Sequence, residues 1–141
     1  SRLDEVQAAV LRVKLPRLAA WTASRRRLAA LYASGLAGLP LGLPPLGGAG
    51  TAPVFHLFTV RCERRDALAE HLRRHGIGTG VYYPTPLHLQ PAYAGLGAKA
   101  GDLPVSEKAA KAALSLPMYS ELADADAARV IEAVRLFFRN G

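Results

Sequence analysis

Leu3, Val6, Val10 and Val13 recur at helical spacing from the start of the chain, joined by Leu11, Leu15 and Leu18. Ser1 can cap this helix, with Asp4 in the third helical position of a capping box. Pro16 falls inside the pattern and removes the bond to the Arg12 carbonyl, so a kink or break is predicted there. Helical spacing resumes through Trp21, Leu28 and Leu31, and Gly35 is a natural stop. Residues 36–53 are dense in Gly and Pro and read as a connector, with Leu39, Leu41 and Leu43 as a short edge strand within it.

Val54 to Cys62 alternates as a strand, with Phe55, Leu57 and Thr59 on one face and Val54, His56, Phe58 and Val60 on the other. Arg65 to His75 reads as a helix with Leu68 and Leu72 inward, Asp66 near its positive end and Gly76 as its stop. Thr79 to Tyr83 predicts a second strand. Residues 84–104 predict a loop with a helical turn near Tyr93. Val105 to Ala113 predicts a short helix with Glu107 and Lys111 paired across one turn. Leu114 to Met118 predicts a strand broken by Pro117. Asp124 caps a last helix carrying Val130, Ile131, Val134, Phe137 and Phe138 inward. The order is helix, strand, helix, strand, helix, strand, helix: an α/β (α+β) domain with helices packed on a short sheet. Within 1–141, the expected division is a helical segment 1–35, the connector 36–53 and an α/β subdomain 54–141.

A length of 141 residues, half of them apolar, suits one domain with a proper core. No apolar run approaches the roughly 20 residues that cross a bilayer, so no membrane partner is expected. The first residues show no signal-peptide pattern, and the missing Met fits a processed chain or a piece of a longer one. Cys62 is the sole cysteine, which excludes an internal disulfide and suits a cytoplasmic setting. It reads as a structural thiol. The net charge of +7 comes in short arginine groups on helices, without a long basic stripe and interleaved aromatics. Nucleic acid is therefore not the expected partner.

Gly78-Thr79-Gly80 follows a helix and opens a strand, the reverse of a phosphate loop, so a helix stop and turn is expected. His71 and His75 share a helix face, but Arg73 and Arg74 lie between them and no third ligand has the right spacing. A solvated face is the expectation, and no metal. His56, mid-strand among apolar residues, is expected to be buried and hydrogen-bonded, with a ligand-facing role as the alternative. His88 lies in the irregular Pro86-Leu87-His88-Leu89-Gln90-Pro91 turn, with Tyr82 and Tyr83 close by. An imidazole held there can bind an anion or carry a proton, or serve only to hold the turn. Arg2, at the start of a capped helix, either binds a phosphate or carboxylate or is a plain surface arginine. The four lysines, Lys14, Lys99, Lys108 and Lys111, stand in no apolar context that would depress a pKa for Schiff-base chemistry. No catalytic residue is assigned, and the chain alone is expected to be inactive.

Four blocks, in order, carry a family resemblance. Ser1 to Leu15 is similar to "SRLDELQAAILRVKL". His56-Leu57-Phe58 with Val60-Arg61 resembles "YHLYVIR". Gly76 to Tyr93 resembles "GIGTGIHYPIPLHLQPAY", and Leu114 to Met118 resembles "LSLPM". These blocks belong to the DegT/DnrJ/StrS family of pyridoxal-phosphate-dependent sugar aminotransferases. The resemblance implies the C-terminal small domain of a fold type I homodimer. The large domain, carrying the Schiff-base lysine and most contacts to pyridoxal 5'-phosphate, would be absent. It implies an amino group moved from an amino acid, usually glutamate, to a nucleotide-linked keto-sugar in polysaccharide, cell-envelope or antibiotic sugar biosynthesis. By the same match Arg2 would bind the anionic substrate across the dimer, and Tyr83 and His88 would line the pocket. Pro16 departs from the family pattern. The alternative is a free-standing, non-catalytic domain that binds a small molecule on the same fold.

Overall fold

A computed structural model describes residues 3–48 and 50–140. The elements are α1 (Glu5–Lys14), α2 (Leu18–Gly35), β1 (Phe58–Arg61), α3 (Arg65–Arg74), α4 (Pro104–Ala112), β2 (Ala113–Leu116) and α5 (Asp124–Arg139). Short 3-10 turns occupy Leu15–Arg17, Leu87–Leu89 and Pro91–Leu96.

β1 and β2 pair antiparallel, Phe58 opposite Leu116 and Arg61 opposite Ala113. Single antiparallel bridges extend this pair on both sides, Gly42 to Arg61 and Gly80 to Ser115. The four segments thus lie in the order Gly42, β1, β2, Gly80, an α+β arrangement with antiparallel pairing throughout. The Thr59 and Ser115 hydroxyls meet across the strands at 2.8 Å, which satisfies the buried Ser115 side chain. Phe58 and Val60, Leu68 and Leu72, Leu114 and Leu116, and Val130, Val134 and Phe137 close one core with Leu28, Tyr32 and Leu36. The sets on the strands, α3 and α5 sit at the spacing the sequence predicts; on α2 the core takes Tyr32, and Leu36 from the expected connector, while Leu31 is only partly buried.

Several local expectations are corrected. The strand expected over Val54–Cys62 is confined to Phe58–Arg61. Phe55 takes a left-handed φ of 49°, which turns its ring into the core beside Phe58 and leaves His56 exposed rather than buried. Thr79–Tyr83 contributes one bridge at Gly80, because Tyr82 folds back over that glycine; a Cβ on Gly80 would lie 2.5 Å from the ring. The Leu39–Leu43 edge is likewise one bridge, at Gly42. Asp4 is itself the cap of α1, accepting from the Gln7 N–H at 2.8 Å, rather than the third residue of a capping box. Ser1 lies outside the described residues. Asp124 is the first residue of α5, not its cap; it favours the helix dipole there and pairs with Arg27. His71 is half-buried, and its Nε2 donates to the Ala133 carbonyl at 3.0 Å, tying α3 to α5 instead of facing solvent.

Pro16 converts one turn to 3-10 geometry between α1 and α2 and does not end the helical path. The apolar stripe of α1 stays uncovered: Leu3, Val6, Val10, Val13 and Leu15 are all exposed, Val6 at 75%. An apolar groove of about 470 Å³ runs along it past Leu11, Leu18 and Trp21.

Gly35 lets α2 close on α5. A Cβ there would sit 2.6 Å from Ile131 Cδ1 and 2.9 Å from Cγ2. Overpacking of this kind costs about 1–3 kcal/mol, against a gain of roughly 0.5–1 kcal/mol from removing a helical glycine. Gly35→Ala is therefore expected to lower the urea midpoint at unchanged m-value. A raised midpoint would mean that the helices part freely.

Candidate functional site

The site is built where α3 hands over to the sheet. Gly76, at φ 70°, ends α3, and the Ile77 N–H returns to the Leu72 carbonyl at 2.9 Å. This is a glycine-stopped helix end, with Ile77 buried against the core. Gly80 then exchanges both backbone bonds with Ser115, at 3.0 and 2.7 Å. The chain leaves the sheet at Tyr82 and runs as an irregular loop to Leu103.

Prolines shape that loop. The Leu89 N–H bonds the Pro86 carbonyl at 3.0 Å, and the Tyr93 N–H bonds the Gln90 carbonyl at 2.9 Å. Pro86 caps the first 3-10 turn from an extended conformation, and Pro91, the first residue of the second, presets the φ that turn needs. Gly97, at φ 80°, ends the second.

Of the three residues singled out by sequence, Tyr83 is the open one, 74% exposed, with its ring 6.0 Å from the Tyr82 ring and edge-on to it. His88 is the opposite case. Its side chain is 8% exposed, and Nε2 lies 3.1 Å from Glu107 Oε1, a carboxylate that is itself 14% exposed. Arg2 lies outside the described residues.

Glu107 is the residue that sequence reasoning misplaced. The spacing to Lys111 suggested a surface pair on one helix face. Instead Oε1 turns back to the loop and accepts from the Gly101 N–H at 2.8 Å and the Leu103 N–H at 3.4 Å as well as from His88. A signal for this was available: Leu103-Pro104 marks the start of α4, and a carboxylate in the first turn faces unpaired N–H groups. The Gly101 N–H is the main cause of a Glu107 pKa below its usual value of 4.5; His88 and Leu103 add to it and partial burial opposes it.

That direction fixes a pH effect. A carboxylate held below its ordinary pKa contributes stability at pH above the ordinary value and loses it as pH falls toward the folded one. Amide protection at Gly101 and Leu103, corrected for intrinsic exchange, should therefore fall below about pH 4.5, before the core amides open. Protection that survives until global unfolding would contradict this.

Other candidates are quiet. Cys62 is 2% exposed, and burial raises its thiol pKa against the pull of Arg64, so it is a poor nucleophile. Among the described residues no cluster of His, Cys, Asp or Glu is placed to hold a metal. No helix among them is long and apolar enough to cross a membrane. A groove of about 800 Å³ at the other sheet edge, between Leu39–Gly42 and α4, is lined in part by Cys62 and Lys108 and by neither Tyr83 nor His88.

The family profile described as the DegT/DnrJ/EryC1/StrS aminotransferase family matches residues 1–135. The chain belongs to this family.

Among relatives in the family, the dTDP-3-amino-3,4,6-trideoxy-alpha-D-glucose transaminase of Streptomyces venezuelae is 55% identical over 136 residues, covering 96% of this chain and 36% of that protein. The pleiotropic regulatory protein of Geobacillus stearothermophilus is 50% identical, covering 99% and 38%. The UDP-N-acetyl-3-dehydro-alpha-D-glucosamine 3-aminotransferase of Acidithiobacillus ferrooxidans is 44% identical, covering 96% and 36%. The crystal structure of S. venezuelae DesV, solved in complex with a ketimine intermediate, superposes with a TM-score of 0.92 at 54% identity, covering 96% of this chain and 37% of DesV. The chain thus spans little more than a third of the proteins it matches.

Family aminotransferases use pyridoxal phosphate, whose covalent anchor is a lysine. Lys14, Lys99, Lys108 and Lys111 are all exposed, on α1, the loop and α4.

Proposed function

We propose that this chain is part of an aminotransferase that moves an amino group from an amino acid, glutamate in the first instance, to a keto-sugar carried on a nucleotide. The observation that carries the reading is the 55% identity, across nearly the whole chain, to a transaminase named for a dTDP-linked amino sugar. The relative named for a UDP-linked sugar extends it to a second nucleotide.

The electron-sink chemistry belongs to pyridoxal phosphate, and no step of it is assigned to residues of this chain. In this reading the cofactor and its lysine belong to protein beyond these 141 residues. What this chain contributes is shape. Its sheet and α4 hold the loop from Tyr82 to Leu103, which presents Tyr83 as an aromatic surface for a base or sugar ring, while His88, almost wholly enclosed and bonded to Glu107, holds the shape of that loop. Arg2 supplies a cation for the substrate's anionic end. The uncovered apolar stripe of α1 is the surface that the cofactor region, or a second subunit of a homodimer, would bury. The setting is cytoplasmic biosynthesis of polysaccharide, envelope or antibiotic sugars.

A second reading, binding without catalysis, draws on the 50% identical relative named as a regulatory protein. Turnover separates the two. The full-length protein, loaded with pyridoxal phosphate and given glutamate, should aminate a dTDP- or UDP-linked keto-sugar far faster than the free keto-sugar or a simple 2-oxo acid. Equal rates on all three would defeat the substrate assignment. Tight nucleotide-sugar binding with no amine formed would favour the regulatory reading.

A further inference from the structure

His88 can serve a pocket only if something fixes it, and the residue that fixes it lies 19 positions away on another element. Glu107 accepts three donors on one oxygen: the His88 ring at 3.1 Å, the Gly101 N–H at 2.8 Å and the Leu103 N–H at 3.4 Å. Two of these close the end of the loop and the third reaches its middle. Glu107 is itself well founded. Ala110, one turn on, is buried, and the Cys62 N–H bonds the Ala112 carbonyl at 2.9 Å. Arg65 reaches the Ala110 and Ala113 carbonyls at 3.3 Å, so the far end of α4 is tied to β1 and α3. A rigid path therefore runs from the core through α4 and Glu107 to His88.

The chemistry of the pair also sets the imidazole. An ionised carboxylate only accepts, so Nε2 must be the nitrogen that carries a proton toward Glu107. In the neutral ring this leaves Nδ1 as the acceptor. Without the carboxylate, nothing in that contact would choose between the two tautomers.

We propose that Glu107 is a positioning residue that acts through His88: it fixes the ring's tautomer and orientation, and the ring in turn sets the shape of the Tyr82–Leu103 loop that binds the nucleotide-linked sugar. This rests on the transaminase reading given above. Glu107 touches no substrate in the proposal. It differs from a plain loop staple in that its effect on substrate passes through one imidazole.

The test is a double-mutant cycle in the full-length, cofactor-loaded protein. Glu107→Ala and His88→Ala are each expected to raise KM for the nucleotide sugar by about 10–100-fold, the scale of a small misplacement at a binding site, with a smaller change in kcat. The double variant should be no worse than the worse single one, since residues that act as a unit are not additive. Glu107→Gln keeps an oxygen for the Gly101 N–H and should fold normally with a partial loss. Independent, multiplying effects, or an unchanged KM in Glu107→Ala, would overturn the proposal.

Nitrogen-15 spectra of the His88 ring give a readout that does not need turnover. In its neutral form the native ring should show one tautomer, protonated at Nε2, and Glu107→Ala, which removes the acceptor, a mixture. An unchanged spectrum in the variant would also overturn it. If the native protein aminates no sugar, the transaminase reading fails, while the ring spectra still decide whether Glu107 governs His88.

Discussion

Tyr32→Ala should bring the domain close to unfolding. Tyr32 is fully buried on α2, its ring centroid lies 5.1 Å from that of Phe58, and its hydroxyl donates to the Pro117 carbonyl at 2.9 Å. It thereby joins α2, β1 and the chain leaving β2. Truncating a buried aromatic costs about 3–5 kcal/mol, through lost transfer energy and the cavity left behind. Domains of this size have only about 5–15 kcal/mol in hand. A fall in melting temperature of roughly 10–20 °C is expected. Tyr32→Phe separates the two contributions. It keeps the ring and leaves the Pro117 carbonyl without its donor, for about 1–3 kcal/mol. Burial already holds the phenol well above its ordinary pKa, with Tyr119 adding to the effect, which agrees with a hydroxyl that has left water. If Tyr32→Ala melted within a few degrees of the native protein, the core described here would be wrong.

The second large effect is functional. His88→Ala in the full-length protein should reduce kcat/KM for the nucleotide keto-sugar by about 10–100-fold, mostly through KM, while the melting temperature shifts by only a few degrees. His88 sits in a loop outside the main core, so its loss removes the contact to Glu107 and leaves that core in place. A large loss of stability with native turnover in the folded fraction would assign His88 to the fold alone. Native kinetics at native stability would remove it from the site.

The contrast between these residues shows what a chain of this kind exposes to reading. Leu68 and Leu72, or Val130, Val134 and Phe137, are set by helical periodicity, a local property, and all five are buried as the spacing predicts. Strand limits are not local. Val54 and His56 alternate as well as Phe58 and Val60 do, yet the left-handed turn at Phe55 takes them out of the sheet. Tyr82 ends the pairing at Gly80 by packing over it, a contact with no periodic signature. The loop around His88 was legible as a candidate because prolines, tyrosines and a histidine are an odd group to place in a turn. Its partner was not: the Glu107 to Lys111 spacing fits a surface pair, and only the path of residues 97–103 brings the Gly101 and Leu103 N–H groups to that carboxylate. The apolar stripe of α1 read correctly as amphipathic, but periodicity says nothing about whether the covering surface belongs to the same 141 residues.

The account stands on amino transfer to a nucleotide-bound sugar. Supplying the full-length, pyridoxal-phosphate-loaded protein with glutamate labelled with nitrogen-15 and a dTDP-linked or UDP-linked keto-sugar tests this in one mass spectrum. The account predicts the label in a new sugar amine, with 2-oxoglutarate formed in equal amount. Label confined to glutamate after prolonged incubation, with both keto-sugars recovered intact, would contradict it.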